Sequence, residues 1–310
     1  MMLRRAGALG AGRAAMRGVQ RARVRRRQAM EAVRCQSFSH STTSPRSTAD
    51  DGQMTKAERR REEILRNEVE VVTNATSASC LPEDWNAKVL LVDKPLDWTS
   101  FDVCGKLRRL VRTKKVGHAG TLDPQATGLL IVCVGRATKT VEHYQGLGKA
   151  YVGTMRLGEE TSSYDHCTPV TRTDASWTNL KDADLSLGAS SLVGPAVPQM
   201  PPMYSAIKVK GKRLYELARR GIEVEREARP VRVDRFEVWR NENEDPRDVN
   251  FSVDCGKGTY VRSLVHDLGR HLGTFAHMTS LRRTRIGKYA VEDAWDLADL
   301  VEALEQRMDG

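Results

Sequence analysis

The 310-residue chain has six cysteines but no C-x-x-C pair. Neither a zinc site nor a dithiol redox motif is therefore encoded. No apolar run approaches the roughly 18 residues that a membrane-crossing helix needs, and the N-terminal stretch lacks the long apolar core of a secretory signal. Acid is also nearly missing there: residues 1–50 hold 11 Arg, no Lys, and only Glu31 and Asp50. That stretch carries a net +9. The other 260 residues hold 39 basic and 38 acidic side chains, a net +1, so nearly all of the overall +10 belongs to the leader. Any nucleic-acid surface on the folded part must then be a local patch. An Arg-, Ala- and Ser-rich, acid-poor segment over residues 1–48 fits an organelle transit peptide, mitochondrial or alternatively chloroplast. A basic RNA-binding arm is the competing reading.

Residues 49–84 read as a charged linker or solvated helix. Thr55 to Glu70 is helix-prone but charged almost all round, a pattern that buries little, and Val71 to Pro82 reads as loop. The fold is expected to begin near Trp85 and to occupy residues 85–300, with an acidic helix over Val291 to Met308 and 301–310 as a tail. Lys88 to Pro95 (KVLLVDKP) has a strand core. Thr99 or Ser100 caps a helix over 101–111, with Phe101, Val103, Cys104, Leu107 and Leu110 facing inward and Lys106, Arg108 and Arg109 outward. Arg112, Lys114 and Lys115 follow, a basic cluster suited to phosphate. Lys149 to Leu157 alternates as a strand, with Tyr151, Gly153 and Met155 on one face. A short helix is expected within 177–193. Tyr204 to Val209 reads as a strand, Gly211 as a turn, and Leu214 to Arg220 as a helix stopped by Gly221. Further strands fall at 230–239 and 251–255. Cys104 and Cys133 sit among apolar neighbours and read as buried thiols.

The centre of the chain is Val116 to Lys139, VGHAGTLDPQATGLLIVCVGRATK. Leu129 to Val134 is a continuous apolar run of strand length, which predicts a strand buried on both faces. Pro124 biases Asp123 toward extended geometry, and Gly117, Gly120 and Gly128 permit close backbone approach. A carboxylate on a stiff loop beside a core strand is a common catalytic setting, although an Asp-Pro pair alone is also an ordinary turn.

The string GHAGTLDPQATGLLIVCVGRATK closely resembles the central motif of the TruB family of tRNA pseudouridine synthases. Other blocks resemble that family in the same order: LLVDKPLDWTSFDV, KAYVGTMRLG, PPMYSAIKVKGKRLYELARRG, GTYVRS and AHMTSLRRTRIGKY. The resemblance runs from about Val89 to Val291. It departs at Thr161-Ser162-Ser163-Tyr164-Asp165, where the family's middle Thr is Ser, and at His166-Cys167-Thr168, where small residues are usual. It implies a mixed α+β domain, a mostly antiparallel sheet flanked by helices and loops, with the active cleft across its middle. Bacterial members usually add a small C-terminal RNA-binding domain of the PUA type. No room for one is expected here, so the grip on substrate is expected to rest on the catalytic domain.

The resemblance also implies an activity and a set of residues. Uridine becomes pseudouridine when the C1′–N1 bond breaks, the base turns, and C5 is joined to the ribose. That isomerisation involves no redox change and calls for no cofactor or metal. Asp123 is implied as the catalytic residue. Two routes fit one carboxylate: attack on C1′, or abstraction of the C2′ proton. Tyr151 is implied to stack on the flipped base, Tyr260 to pack on the nucleotide, Leu281 to line the pocket, and Arg262 to pair with Asp123. An arginine beside a carboxylate favours its charged form and fixes its direction. His118 is expected to act on the RNA loop. Lys94 and Lys208 are expected to contact RNA, as are Lys210, Lys212 and Arg213 around one turn and Arg282, Arg283 and Arg285 further on. The expected substrate is the T-loop uridine at tRNA position 55, other RNA including mRNA being possible, with no membrane and no obligate protein partner. Two other functions compete: a non-catalytic RNA chaperone on the same fold, and a guide-dependent subunit like that of box H/ACA particles.

Overall fold

The computed structural model describes residues 54–309 apart from 210 and 243. The transit-peptide reading, Cys35 and Lys210 lie outside the described residues. The elements, in chain order, are α1 (Lys56–Asn67), β1 (Glu70–Val72), β2 (Lys88–Lys94), α2 (Ser100–Leu110), β3 (Val116–His118), β4 (Ala126–Val134), α3 (Val141–Gly146), β5 (Lys149–Leu157), β6 (Glu159–Thr161), β7 (Val170–Thr173), α4 (Asp182–Ser191), β8 (Gly194–Gln199), β9 (Lys208–Val209), β10 (Lys212–Arg213), α5 (Leu214–Ala218), β11 (Arg229–Arg240), β12 (Asp248–Cys255), α6 (Val261–His271), β13 (Ala276–Ile286), β14 (Tyr289–Ala290), β15 (Trp295–Asp296) and α7 (Leu297–Asp309). None of these helices is long and apolar enough to cross a membrane.

One large sheet runs β1-β2-β4-β13-β5-β12-β11-β8, with β3, β14 and β15 attached beside it. Most pairs are antiparallel; β1–β2, β15–β2 and β4–β13 are parallel. The apolar run of the central motif is the inner strand β4, and Leu129 to Val134 are all fully buried. Period-2 alternation sends its side chains to opposite faces. Leu130, Val132 and Val134 join the core formed with α2 and α7, while Leu129, Ile131 and Cys133 join another core with Tyr144 and Ile286. A third core lies under β5, β11, β12, β13 and α6. α2 starts where its cap residues dictate: Thr99 Oγ1 accepts from Asp102 N at 3.0 Å, and Asp102 Oδ2 accepts from Thr99 N at 3.0 Å, a reciprocal capping box.

The structure differs from the sequence reading at both ends of the body. The charged segment is a helix, as one of the two readings had it, but α1 is anchored to the body rather than merely solvated. Ile64 is fully buried, and Val71 and Val72, expected as the start of a loop, belong to β1, which pairs with β2. Residues 301–309, expected as a tail, continue α7, whose Leu297, Leu300, Ala303 and Leu304 are buried against α2 and β4. Within α2 the apolar stripe is Val103, Cys104 and Leu107; Phe101 lies off it and is 68% exposed. The segment read as a strand from Tyr204 is strand only at Lys208–Val209.

Candidate active site

The loop between β3 and β4 carries Asp123, and main-chain hydrogen bonds fix it from two directions. Ser100, at the start of α2, donates through Oγ to Leu122 O at 3.2 Å and accepts from Leu122 N at 2.9 Å. Asp97 N donates to Pro124 O at 2.9 Å, and Ala126 N to Asp123 O at 3.0 Å. Lys94, at the end of β2, is fully buried. Its Nζ donates to Pro95 O at 2.8 Å, Trp98 O at 2.6 Å and Pro124 O at 3.3 Å. Burial pushes its amine down to about 8, with Asp123 pulling the other way. Lys94 thus staples the Asp123 loop to the β2–α2 connection and offers nothing to solvent, which corrects its reading as an RNA contact.

Asp123 itself keeps 40% of its side chain open, while Arg262 in the first turn of α6 keeps 5%. Arg262 Nη2 stands 3.0 Å from Asp123 Oδ2 and donates to Tyr204 O at 2.9 Å. Its Nη1 donates to Ser163 O at 3.0 Å and lies 3.6 Å from Asp165 Oδ2. One guanidinium therefore sits between an open and a buried carboxylate. Asp165 Oδ1 also accepts from Ser163 Oγ at 2.5 Å and from Cys167 N at 2.9 Å, so the buried acid is well supplied with donors. The turn holding Asp165 is braced from behind. Tyr164, at φ +63°, stacks on His266 with centroids 3.9 Å apart. His266 Nε2 lies 3.0 Å from Glu160 Oε1, and Arg270 Nη2 donates to the same oxygen at 2.6 Å. Ser163, which stands where the family's middle Thr is usual, thus serves the arginine that faces Asp123.

The strands place the remaining groups. β13 sets Leu281 opposite Gly153 on β5 and Ala126 on β4, and Arg283 opposite Tyr151 and Gly128. Tyr151 and Leu281, 7% and 8% exposed, share a core with Leu122 and Ala126 on either side of Asp123 and with Val261 and Leu264 of α6. Gly128 has φ +105°, and a Cβ there would stand 2.2 Å from Arg283 O; only glycine lets β4 and β13 close at this point. By contrast, Gly117 faces open space, so the close approach expected there is absent. Burial raises the phenols of Tyr151 and Tyr260, with Arg283 partly opposing at Tyr151. Gln199 clamps the main chain of Tyr260 through two hydrogen bonds of 2.8 and 3.1 Å.

A model of the family described as TruB family pseudouridylate synthase (N terminal domain) matches residues 108–261, and tRNA pseudouridylate synthase B C-terminal domain matches residues 262–309. The chain is 45% identical over 222 residues to tRNA pseudouridine synthase B of Paenarthrobacter aurescens, covering 70% of each chain. It is 48% identical over 217 residues to that of Mycobacterium avium, covering 69% of each. The chain belongs to the TruB family. As a TruB-family enzyme it isomerises uridine to pseudouridine in tRNA. Two solved structures share its fold. A Cbf5-Nop10-Gar1 complex aligns with TM-score 0.54 and 29% identity over 76% of this chain and 61% of that one. An H/ACA RNP bound to a substrate RNA containing 2'-deoxyuridine aligns with TM-score 0.53 and 27% identity over 79% and 63%. The TruB-family chain thus spans under two thirds of those two chains.

Of the residues expected at the site, Asp123, Arg262, Tyr151, Tyr260 and Leu281 converge. His118 lies on β3 just before the loop, half-buried, its Nδ1 without a hydrogen-bond partner among the described residues. Burial, then Arg283, lowers its imidazole from the ordinary value. Lys208 is exposed on the β9–β10 hairpin, whose base at Tyr204 reaches Arg262. Arg283, read as an RNA contact, is 1% exposed and donates to Leu129 O at 2.7 Å and Gly120 O at 3.2 Å. Arg282 holds Asp93 with both ends of its guanidinium, and Arg285 pairs with Asp254. Asp165 was given no role from sequence, and neither was Lys149. Lys149 is 9% exposed and donates to Gln145 O at 3.0 Å and Leu147 O at 2.8 Å, burial pushing it down to about 8. The signal for Arg283 was its spacing of two from Leu281 along a strand.

Proposed function

We propose that this enzyme acts on the T-loop uridine at position 55 of tRNA and that Asp123 is the carboxylate that reacts with the ribose. The observation that supports it is the half-open Asp123 held by a buried Arg262 at 3.0 Å beside Tyr151 and Leu281. In this reading the uridine leaves the RNA stack and lies against Tyr151, with Leu281 at its edge and Tyr260 on its flank. The C1′–N1 bond breaks with the electron pair staying on the base. The base turns in place, C5 bonds to the ribose, and the C5 proton is lost to N1 or solvent. Asp123 serves either by attacking C1′, forming an ester bond that breaks again when C5 takes its place, or by taking the C2′ proton and returning it to C2′ as C5 joins C1′. The fixed arginine holds one carboxylate oxygen and leaves the other toward the ribose, a positioning that matters because small displacements cost large factors in rate.

The test compares wild type with Asp123→Asn on a tRNA transcript and on the same transcript with cytidine at position 55. Pseudouridine mapped at 55 with wild type only supports the proposal. Product at another uridine, or undiminished product with Asp123→Asn, sinks it; no product from either protein returns the chaperone reading. For location, the acid-poor, Arg-rich residues 1–48 favour a mitochondrial address, with chloroplast the alternative. A fluorescent fusion of that segment that stays in the cytosol would overturn both.

A further inference from the structure

Tyr164 has a backbone that aromatic residues avoid. At φ +63° its Cβ crowds the chain, and turns that need this geometry ordinarily use glycine, asparagine or aspartate. A tyrosine persists there only where its surroundings fix it, and such outliers cluster at functional sites. The turn around it is closed on itself. Tyr164 N donates to Thr161 O at 3.2 Å, and Thr161 Oγ1 donates to Asp165 O at 2.6 Å. It is also tied to β13: Met278 N donates to Tyr164 O at 3.0 Å, and His166 N donates to Met278 O at 3.1 Å. None of these bonds needs an aromatic side chain, so they do not account for the tyrosine.

The ring finds its partner on α6. It lies on His266 with centroids 3.9 Å apart and planes 22° apart. Both His266 nitrogens lie against carboxylate oxygens, Nε2 3.0 Å from Glu160 Oε1 and Nδ1 3.1 Å from Asp267 Oδ1. Glu160 is 7% exposed and is itself fixed by Arg270 at 2.6 Å. Positions 262, 266 and 270 are four apart, so Arg262, His266 and Arg270 share one face of α6. Along that face each side chain holds a successive part of one segment. Arg262 holds the Ser163 carbonyl and the Asp165 carboxylate, His266 the Tyr164 ring, and Arg270 Glu160. The two chain neighbours of Tyr164 are therefore the residues that carry Nη1 of Arg262, while Nη2 serves Asp123 and Tyr204 O. A turn that drifted would take Nη1 with it, and the Asp123 end of the same rigid plane would swing.

We propose that Tyr164 and His266 are positioning residues of the isomerisation that act through Arg262: their stack locks the strained turn against α6, and that turn aims the guanidinium at Asp123. The inference rests on Asp123 being the reacting carboxylate. Removing the ring leaves the cleft residues in place but lets the arginine rock. The grip on tRNA does not depend on that angle. The rate does, since a displacement of about 1 Å costs on the order of 100-fold. A smaller swing, through a turn still tied by its main chain, should cost at least about tenfold in kcat and leave KM within about twofold.

The test uses full-length Tyr164→Ala, Tyr164→Gly, Tyr164→Phe and His266→Leu, assayed for kcat and KM on tRNA well below every melting temperature. Alanine and glycine separate strain from stacking. Both lose the ring, but glycine accepts this backbone freely and should melt above alanine. A purely structural role makes activity follow stability, so the glycine variant would recover. Positioning predicts the same loss of kcat in both and a similar loss in His266→Leu. It also predicts no further loss when Tyr164→Ala and His266→Leu are combined, and rescue by Tyr164→Phe, which restores the ring. Nitrogen-15 spectra report on the Arg262 guanidinium, identified by its absence in Arg262→Met. Its Nη signals should be resolved in wild type and Tyr164→Phe and should average together in the alanine and glycine variants. A glycine variant within about twofold of wild-type kcat, or a defect confined to KM, overturns the proposal. So do additive losses in the double variant, or unchanged guanidinium signals in Tyr164→Ala. If wild type makes no pseudouridine while the signals still average, the functional reading fails and the brace stands. If wild type is active and kcat holds in Tyr164→Ala, the brace fails alone.

Discussion

Arg262→Met removes a guanidinium while leaving an unbranched side chain to fill its channel. Four acceptors are left short of a donor: Asp123 Oδ2, Asp165 Oδ2, Ser163 O and Tyr204 O. The consequences divide by exposure. Asp165 is 7% exposed, and stripping one partner from a buried ion pair costs roughly 3–5 kcal/mol. Because Ser163 Oγ and Cys167 N still serve its other oxygen, the low end, about 3 kcal/mol, is expected. Asp123 is 40% exposed, so water replaces its partner and it adds little. At roughly 2–4 °C per kcal/mol for a body of this size, Tm should fall by roughly 6–12 °C. Activity should fall further in proportion: an undirected Asp123 misplaced by about 1 Å costs on the order of 100-fold. Arg262→Lys keeps the charge but has three donors for four acceptors, and should fall between the two. Tm comes from circular dichroism. The rate comes from single-turnover release of tritium from C5 of labelled tRNA, since C5 gives up its hydrogen when it bonds to the ribose. Should Arg262→Met melt within 2 °C of wild type and retain a third of the rate, the bridging role assigned to this arginine is wrong.

Lys94→Met should lower kcat by about tenfold or more with little change in KM. It frees the 95–98 connection and the Pro124 carbonyl that the ammonium holds at about 1.5–3 kcal/mol per bond. A KM-only defect would return Lys94 to RNA contact. His118 has its folded value below the 6.5 of the unfolded chain, so the unfolded state takes up its proton first as pH falls through 6.5. Stability should accordingly drop between pH 6.5 and 5. Urea midpoints of His118→Gln should fall less than those of wild type over that range; parallel curves would refute this. Phe101, with Arg108 5.9 Å from its ring centroid, projects from the helix whose first turn is bonded to the Asp123 loop. Phe101→Ala should raise KM for tRNA roughly 5- to 150-fold, the loss of about 1–3 kcal/mol of base stacking, with Tm unchanged. An unchanged KM excludes stacking there.

What could be read from the sequence was whatever one residue type in one period determines. The six apolar residues of β4, the Thr99 cap and the alternation of β5 all follow from local rules, and the structure has them. Phe101 was misassigned because apolar character was counted without helical phase: 100, 103, 104 and 107 form the stripe, and 101 is a quarter-turn away. α7 was legible as an acidic helix, and its buried face carried a signal of the same kind in Leu297, Leu300 and Leu304, spaced three and four, which its acids masked. Lys94 and Arg283 were misread because charge was equated with exposure. Nothing local announces that a cation will find main-chain carbonyls, since those acceptors come from loops brought together only by the fold. Asp165 was visible but roleless, because its partner lies 97 positions further along the chain.

Those carbonyl-bound cations change the electrical character of the cleft. Lys94, Lys149 and Arg283 are solvated by peptide oxygens, which have dipoles but no net charge to cancel them. Their field therefore persists at neutral pH around buried Tyr151, where water is scarce and screening weak, and reaches the half-open Asp123 from its protein side. Negative charge appearing on a detached uracil would meet that potential already in place. No side chain would need to swing, deprotonate or shed a counter-ion at the moment of bond cleavage.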